Sequence, residues 1–168
     1  SNYEFGSKTV KDLIINRFKV NTEKSRISSS YNTALGWILM GMKEYTHAKE
    51  PLEKALEQNT SLKDKRDIAN AQNNLGRLYT YLQNYPSAEE LLTKAYNTFE
   101  ELSAKDSTYL HNLAESQYNM GLLYEQKNDC AKTEYLYELS INNYKAACSD
   151  SDYKEELEEV ISLYNKIS

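Results

Sequence analysis

An all-α fold, a right-handed α-solenoid of antiparallel helix hairpins, is predicted by two observations: a motif that returns at spacings of 40 and 45 residues, and glycines that recur at one place within it. Its fullest copy lies in the stretch Asn70 to Phe99, with Leu75 and Gly76, Tyr79 three residues past the Gly, then Tyr85, Ala88 and Ala95. Laid over residues 30–58 the frame returns Leu35, Gly36, Leu39, Tyr45, Ala48 and Ala55. Laid over 115–140 it returns Met120, Gly121, Tyr124, Cys130, Thr133 and Ser140. An incomplete fourth copy puts Ile161 at the Gly place and Tyr164 at the Tyr place. Self-similarity at such a period indicates stacked helical hairpins.

Close approach of backbones explains the frame. Small residues let two antiparallel helices cross near the lower end of the usual ~8–10 Å interaxial range, while Leu, Met and Tyr fill the space between. Gly costs about 1 kcal/mol against Ala inside a helix. Three of the five glycines at equivalent interior points therefore imply a packing reason.

This frame resembles the tetratricopeptide repeat, in which a first helix carries Leu-Gly-x-x-Tyr and a second carries spaced Ala. The resemblance covers about residues 30 to 167. The long period, the NNLG wording and the KEYTHAKEPLEKAL segment are similar to the longer variant found in kinesin light chains. Two departures stand out: the family's Trp place holds Asn32, Gln72 and Gln117, and the Pro that often closes the second helix is missing.

The elements follow in order. Residues 1–28 are read as an N-terminal helix and linker ending a preceding, cut repeat, with Val10, Leu13, Ile14 and Phe18 at helical spacing, Ser7 as cap, and the serines of the linker capping the next helix. Hairpin one occupies 29–60, and Pro51 within its second helix is expected to bend it. Hairpin two occupies 61–104, with Pro86 tolerated in a first helical turn. Hairpin three occupies 105–148, its second helix capped by Asp129. Residues 149–168 form a C-terminal capping helix or half repeat, started by the SDSD run.

With 168 residues and 40% hydrophobic content the chain suffices for one domain. The formal net charge of −5 disfavours nucleic-acid binding through a basic face. Fifteen tyrosines against three Phe suit thin helical layers, with rings buried and hydroxyls reaching water or backbone carbonyls. Cys130 stands where Tyr45 and Tyr85 stand and reads as a small buried residue; Cys130 and Cys148 form no CxxC motif and call for no disulfide.

Catalytic constellations are missing. His47 and His111 are isolated, no HExxH, GxSxG, Gly-rich phosphate loop or metal-spaced Cys/His set occurs, and the pairs Glu89-Glu90 and Glu155-Glu156 diverge around a helix. The reading is a protein without enzymatic activity, cofactor or metal.

What the resemblance implies is binding. First helices of such stacks line a concave wall, on which the frame places Thr33, Trp37, Asn73, Asn74, Arg77, Tyr81, Tyr118, Asn119, Leu122 and Glu125. The same frame places Ala34, Met40, Gly41, Thr80 and Gln126 there as well. Asn74 and Asn119, each two residues before the Gly, match the family's Asn that clamps a peptide unit of an extended ligand through its amide; Ala34 breaks the match in hairpin one. The structural frame comprises Gly36, Gly76, Gly121, Ala48, Ala55, Ala88, Ala95, Tyr79 and Tyr124.

The expected partner is thus a protein or peptide segment in the concave groove, with a homodimer as a further option and no nucleic acid. The alternative is a sensory or oligomerising segment of a larger signalling or transcription-regulatory protein. No run of ~18 apolar residues spans a membrane. The Ser-Asn start without Met reads as a cloning scar, which leaves room for a signal peptide, lipid anchor, membrane helix or effector domain before it. The compartment stays open, with the cytoplasm favoured over a periplasmic or membrane-anchored placement.

Overall fold

The structure, a computed structural model, describes residues 27–147 and 154–167. Seven α-helices occupy them: α1 Ile27–Gly41, α2 Tyr45–Leu62, α3 Lys65–Tyr81, α4 Tyr85–Ser103, α5 Leu110–Gln126, α6 Cys130–Ala147 and α7 Lys154–Ile167. A 3-10 turn, Ser107–Tyr109, precedes α5. Helices α1 and α2, α3 and α4, and α5 and α6 pack pairwise as hairpins, each pair also packs on the next, and α7 packs on α6. The helix expected near residues 7–19, the SDSD cap and Cys148 lie outside the described residues.

The frame glycines sit where helices meet. A Cβ added at Gly36 would lie inside the Leu52 side chain, and one at Gly121 inside the Tyr137 ring. At Gly76 it would stand 2.7 Å from Leu92 Cγ and 3.3 Å from the Leu92 backbone nitrogen. Leu52, Leu92 and Tyr137 each follow their glycine by sixteen residues, so one knob of the second helix fills one notch of the first. Ala48, Ala55, Ala88 and Ala95 are fully buried beside these contacts. Gly41, outside the frame, would meet nothing within 4 Å.

Turn geometry repeats as well. Lys43, Gln83 and Asn128, each seven residues past the frame glycine, hold φ of 59°, 59° and 58°. The next residue's N–H reaches back over the helix end in every case: Glu44 to the Leu39 carbonyl at 2.8 Å, Asn84 to Tyr79 at 2.9 Å, and Asp129 to Tyr124 at 2.9 Å. This is a Schellman closure made without glycine. A left-handed residue with a side chain costs about 1–2 kcal/mol, and the closure of the hairpin holds it there.

Local caps explain the other boundaries. The Asp64 carboxylate accepts from the N–H groups of Arg66 and Asp67 to start α3. Asp106 accepts from the Thr108 N–H, and Asp129 from the Lys132 N–H at 3.2 Å. Ser28 and Ser29 lie within α1 instead of capping it. They tie α1 to α2: Gln58 donates to the Ser28 hydroxyl, and the Ser29 hydroxyl donates to Asn59. Pro51 is buried within α2, which continues through it to Leu62 as one helix.

Apolar burial comes as a chain of clusters. Leu35, Leu39, Met40, Leu52, Leu75 and Leu78 join the first two hairpins. Leu92 and Leu123 join the second to the third, as do Phe99 and Leu113. Tyr118, Tyr137, Ile141, Tyr144 and Val160 join the third to α7. Val160, 1% exposed, precedes Ile161 as Leu35, Leu75 and Met120 precede their glycines. Cys130 is exposed, contrary to the reading of it as buried, because it is the first residue of α6 and its side chain is too short to reach a neighbouring hairpin as the ring of Tyr45 does.

Two stability outcomes follow from this geometry. Gly121→Ala should destabilise the chain by about 1–3 kcal/mol, because the Tyr137 ring must move, whereas Gly41→Ala should be neutral or slightly stabilising; paired thermal melts compare them, and equal melts would contradict the notch. Gln83→Gly should stabilise by roughly 0.5–1 kcal/mol by relieving the left-handed residue, as read from urea midpoints.

Candidate functional site

Helical arithmetic locates a groove along the first helices. Counting from each frame glycine, the positions six before, two before and one after form a stripe at 4- and 3-residue spacing on one helix face. In α1 this stripe is Ser30, Ala34 and Trp37; in α3 it is Asn70, Asn74 and Arg77; in α5 it is Glu115, Asn119 and Leu122. Placing Ile161 in the glycine register extends it to Glu155 and Glu159 of α7.

Two cavities open along this stripe. The larger, about 760 Å³, lies between α1 and α3, with Ser30, Thr33, Trp37, Asn70 and Asp67 in its lining. The smaller, about 380 Å³, is lined by Trp37, Arg77, His111, Glu115, Tyr118 and Tyr144, together with Glu155, Glu156 and Glu159. Trp37 is common to both.

Arg77 is the centre of the arrangement. Its guanidinium carbon stands 5.1 Å from the Trp37 ring centroid, 5.8 Å from Tyr118 and 5.9 Å from Tyr81, within cation–π range. Burial pulls its pKa down, but the nearby Tyr81, Tyr118 and Glu115 outweigh that and hold it above the usual value. Tyr81 stacks on Tyr45 at 4.9 Å, and Tyr118 lies 5.9 Å from Tyr137. Aromatic contacts thus run from the first hairpin to the third.

Several residues read onto the wall are withdrawn from it. Asn119 is 0% exposed and Asn73 1%, while Asn74 and Tyr118 are also buried. Neither amide atom of Asn119 has a hydrogen-bond partner among the described residues. Packing of α3 against α5 closes over these side chains, so Asn119 offers no clamp to solvent as it stands. Met40 and Thr80, four past the glycine, are buried because that position lies over the glycine and faces the second helix. Glu125, at the same position, accepts from the Tyr137 hydroxyl at 2.8 Å. Thr33 is half-buried, its hydroxyl bonded to the Ser29 carbonyl. Of the residues read onto the wall, Trp37 and Tyr81 keep exposed rings, at 39% and 36%; Leu122 is half-buried.

Sequence reasoning missed Glu115, Tyr144, Glu155, Glu156 and Glu159 as groove residues. The position six before the glycine is one turn upstream of those considered, and the signal for α7 was the Ile161 register itself. Burial raises the Glu115 pKa, Arg77 opposes it and Glu156 adds to the rise. Tyr118 donates to Glu159 at 2.7 Å. The hydroxyls expected to seek water or backbone carbonyls go instead to carboxylates: Tyr79 to Glu53, Tyr96 to Glu100 and Tyr124 to Glu89. In an acidic chain these are the stronger acceptors.

The architecture defines a class first: a solenoid of stacked helical hairpins. Residues 26–101 match the family model of the tetratricopeptide repeat, and the same hairpin geometry continues through Ala147. The chain is similar to the crystal structure of BtubC (BKLC) from P. vanneervenii, with a TM-score of 0.62 at 16% identity over 99% of this chain and 74% of that one. At that identity the likeness speaks to fold alone. No curated protein matches the chain by sequence. Among the described residues no helix is long and apolar enough to cross a membrane.

Alkaline titration checks the tyrosine–carboxylate bonds. Burial first, and then bonding to Glu53, Glu100 and Glu89, pushes Tyr79, Tyr96 and Tyr124 from 10.0 up to about 12. The folded chain then holds protons that the unfolded chain releases above its own phenol pKa, so stability should fall as pH rises from 10 toward 12. Phenolate absorbance should show native midpoints above those in denaturant; coincident midpoints would contradict the assignment.

Proposed function

We propose that this chain is a protein-interaction scaffold that takes an extended peptide or protein segment along the groove of α1, α3, α5 and α7. Tetratricopeptide repeats are protein-interaction modules, and the reading starts there. The observation that carries it further is the Trp37–Arg77 centre, whose indole lines both cavities. An exposed indole stacked on a guanidinium is an anchor of the kind found at binding hot spots, where Trp, Tyr and Arg dominate. Its neighbours α3 and α5 are stiffened by the notches at Gly76 and Gly121, so the rings are held in place before a ligand arrives.

The groove contributes little backbone of its own, since its helices satisfy their own hydrogen bonds. Recognition therefore falls to side chains: Trp37 and Tyr81 as apolar platforms, Arg77 for a carbonyl or carboxylate, and the Ser30, Thr33 and Asn70 edge for peptide units.

Selection from a random peptide library on the whole chain, followed by NMR of the best synthetic peptide, tests this. Shifts should concentrate on the Trp37 indole, Thr33, Arg77, Tyr81 and Leu122, and Trp37→Ala should weaken binding roughly tenfold or more. Shifts confined to the outer helices α2, α4 and α6, or no peptide bound at all, would overturn the groove reading.

A further inference from the structure

The smaller cavity has a chemistry of its own. Four carboxylates, Glu115, Glu155, Glu156 and Glu159, line it against a single guanidinium, Arg77. Among the described residues no Lys or Arg comes within ion-pair distance of any of the four. Arg77 is engaged by rings, and its Nε is buried without a hydrogen-bond partner. Glu159 accepts from Tyr118, and His111 bonds the Thr108 carbonyl through Nδ1. The other three carboxylates make no hydrogen bond.

A second observation is independent of the acidic residues. Tyr144 is 3% exposed and lines the cavity, yet its hydroxyl makes no hydrogen bond among the described residues. The ring is buried while the hydroxyl oxygen keeps access to the cavity, bordering the same space as the Glu115 carboxyl. Both groups accept hydrogen bonds, which is what a donor-only cation supplies.

The occupant can be narrowed further. No set of three or more Asp, Glu, His or Cys converges as a metal site among the described residues; the carboxylates are spread around the wall. A cavity of about 380 Å³ flanked by Trp37 and Tyr118 suits a long side chain whose methylene stem lies on rings while its head meets carboxylates. Trp37 also opens onto the larger cavity, so a segment can continue past it.

We propose that the α5–α7 end of the groove seats a lysine or arginine side chain of a partner protein's extended segment, its cationic head held by Glu115, Glu156 and the Tyr144 hydroxyl. This rests on the groove reading above and deepens it by naming the partner's chemistry as basic.

The probes are labelled synthetic peptides enriched from a random library on the whole chain, each paired with a copy whose basic residues are replaced by alanine. Enriched peptides should carry Lys or Arg. Their affinity should drop roughly tenfold or more in Glu115→Gln/Glu156→Gln, and the alanine copies should bind wild type and variant alike. Added salt should weaken only the basic peptides. Glu155→Gln/Glu156→Gln, confined to exposed residues of α7, is the second variant should the first fail to fold; a loss of roughly threefold or more is expected there. Peptides that shift the Trp37 indole but contain no basic residue, or basic peptides bound equally by wild type and a folded variant, would overturn this inference and leave the groove reading standing. A library that yields no peptide touching Trp37 would overturn both.

Discussion

Everything in this molecule depends on how near two helices can come at one residue. At Gly36, Gly76 and Gly121 the first helix of a hairpin offers bare backbone, and the second drives Leu52, Leu92 or Tyr137 into the gap. Fixing that contact fixes the crossing of each hairpin, and the repeated turn at Lys43, Gln83 and Asn128 fixes where the second helix starts. Once each hairpin is rigid, stacking needs only the apolar clusters between neighbours, and a linear array results.

From the array comes the groove. Because the second helices take the glycine side of each first helix, the face six before, two before and one after the glycine is left to the inside of the stack. Part of that face is closed where α3 packs on α5, burying Asn74 and Asn119, and the rest stays open around Trp37 and Arg77. Its chemistry changes along the stack: serine, threonine and asparagine near α1, a tryptophan–arginine centre in the middle, and carboxylates toward α7. A polar groove with one aromatic centre and one acidic end suits the extended, side-chain-read ligand proposed above.

Tyrosine serves both requirements. Its ring fills the thin layers, as at Tyr118, Tyr137 and Tyr144, while its hydroxyl spans to a carboxylate on another helix, as Tyr124 does to Glu89 and Tyr118 to Glu159. Phenylalanine would pack equally well and leave the carboxylate unbonded. In a chain with 25 acidic residues against 20 Lys and Arg, such bonds give carboxylates donors where cations are fewer.

Sequence alone determined the hairpins, since a backbone notch can be made only by a very small residue and its recurrence is visible as a spacing. It likewise put Trp37, Arg77 and Tyr81 on one wall, because one position after the glycine and five after it share a helix face. What the tertiary structure decided was exposure. Asn74 and Asn119 occupy the expected stripe yet are buried, because α3 and α5 pack against each other there, and a one-helix count cannot register the neighbour. Glu155 and Glu156, which a helical count sets apart, line one cavity with Glu115 once α7 docks with Val160 in the core. Spacing along a chain fixes which residues share a face; only the distance between helices fixes whether that face is open, and that distance is set by side chains far apart in sequence.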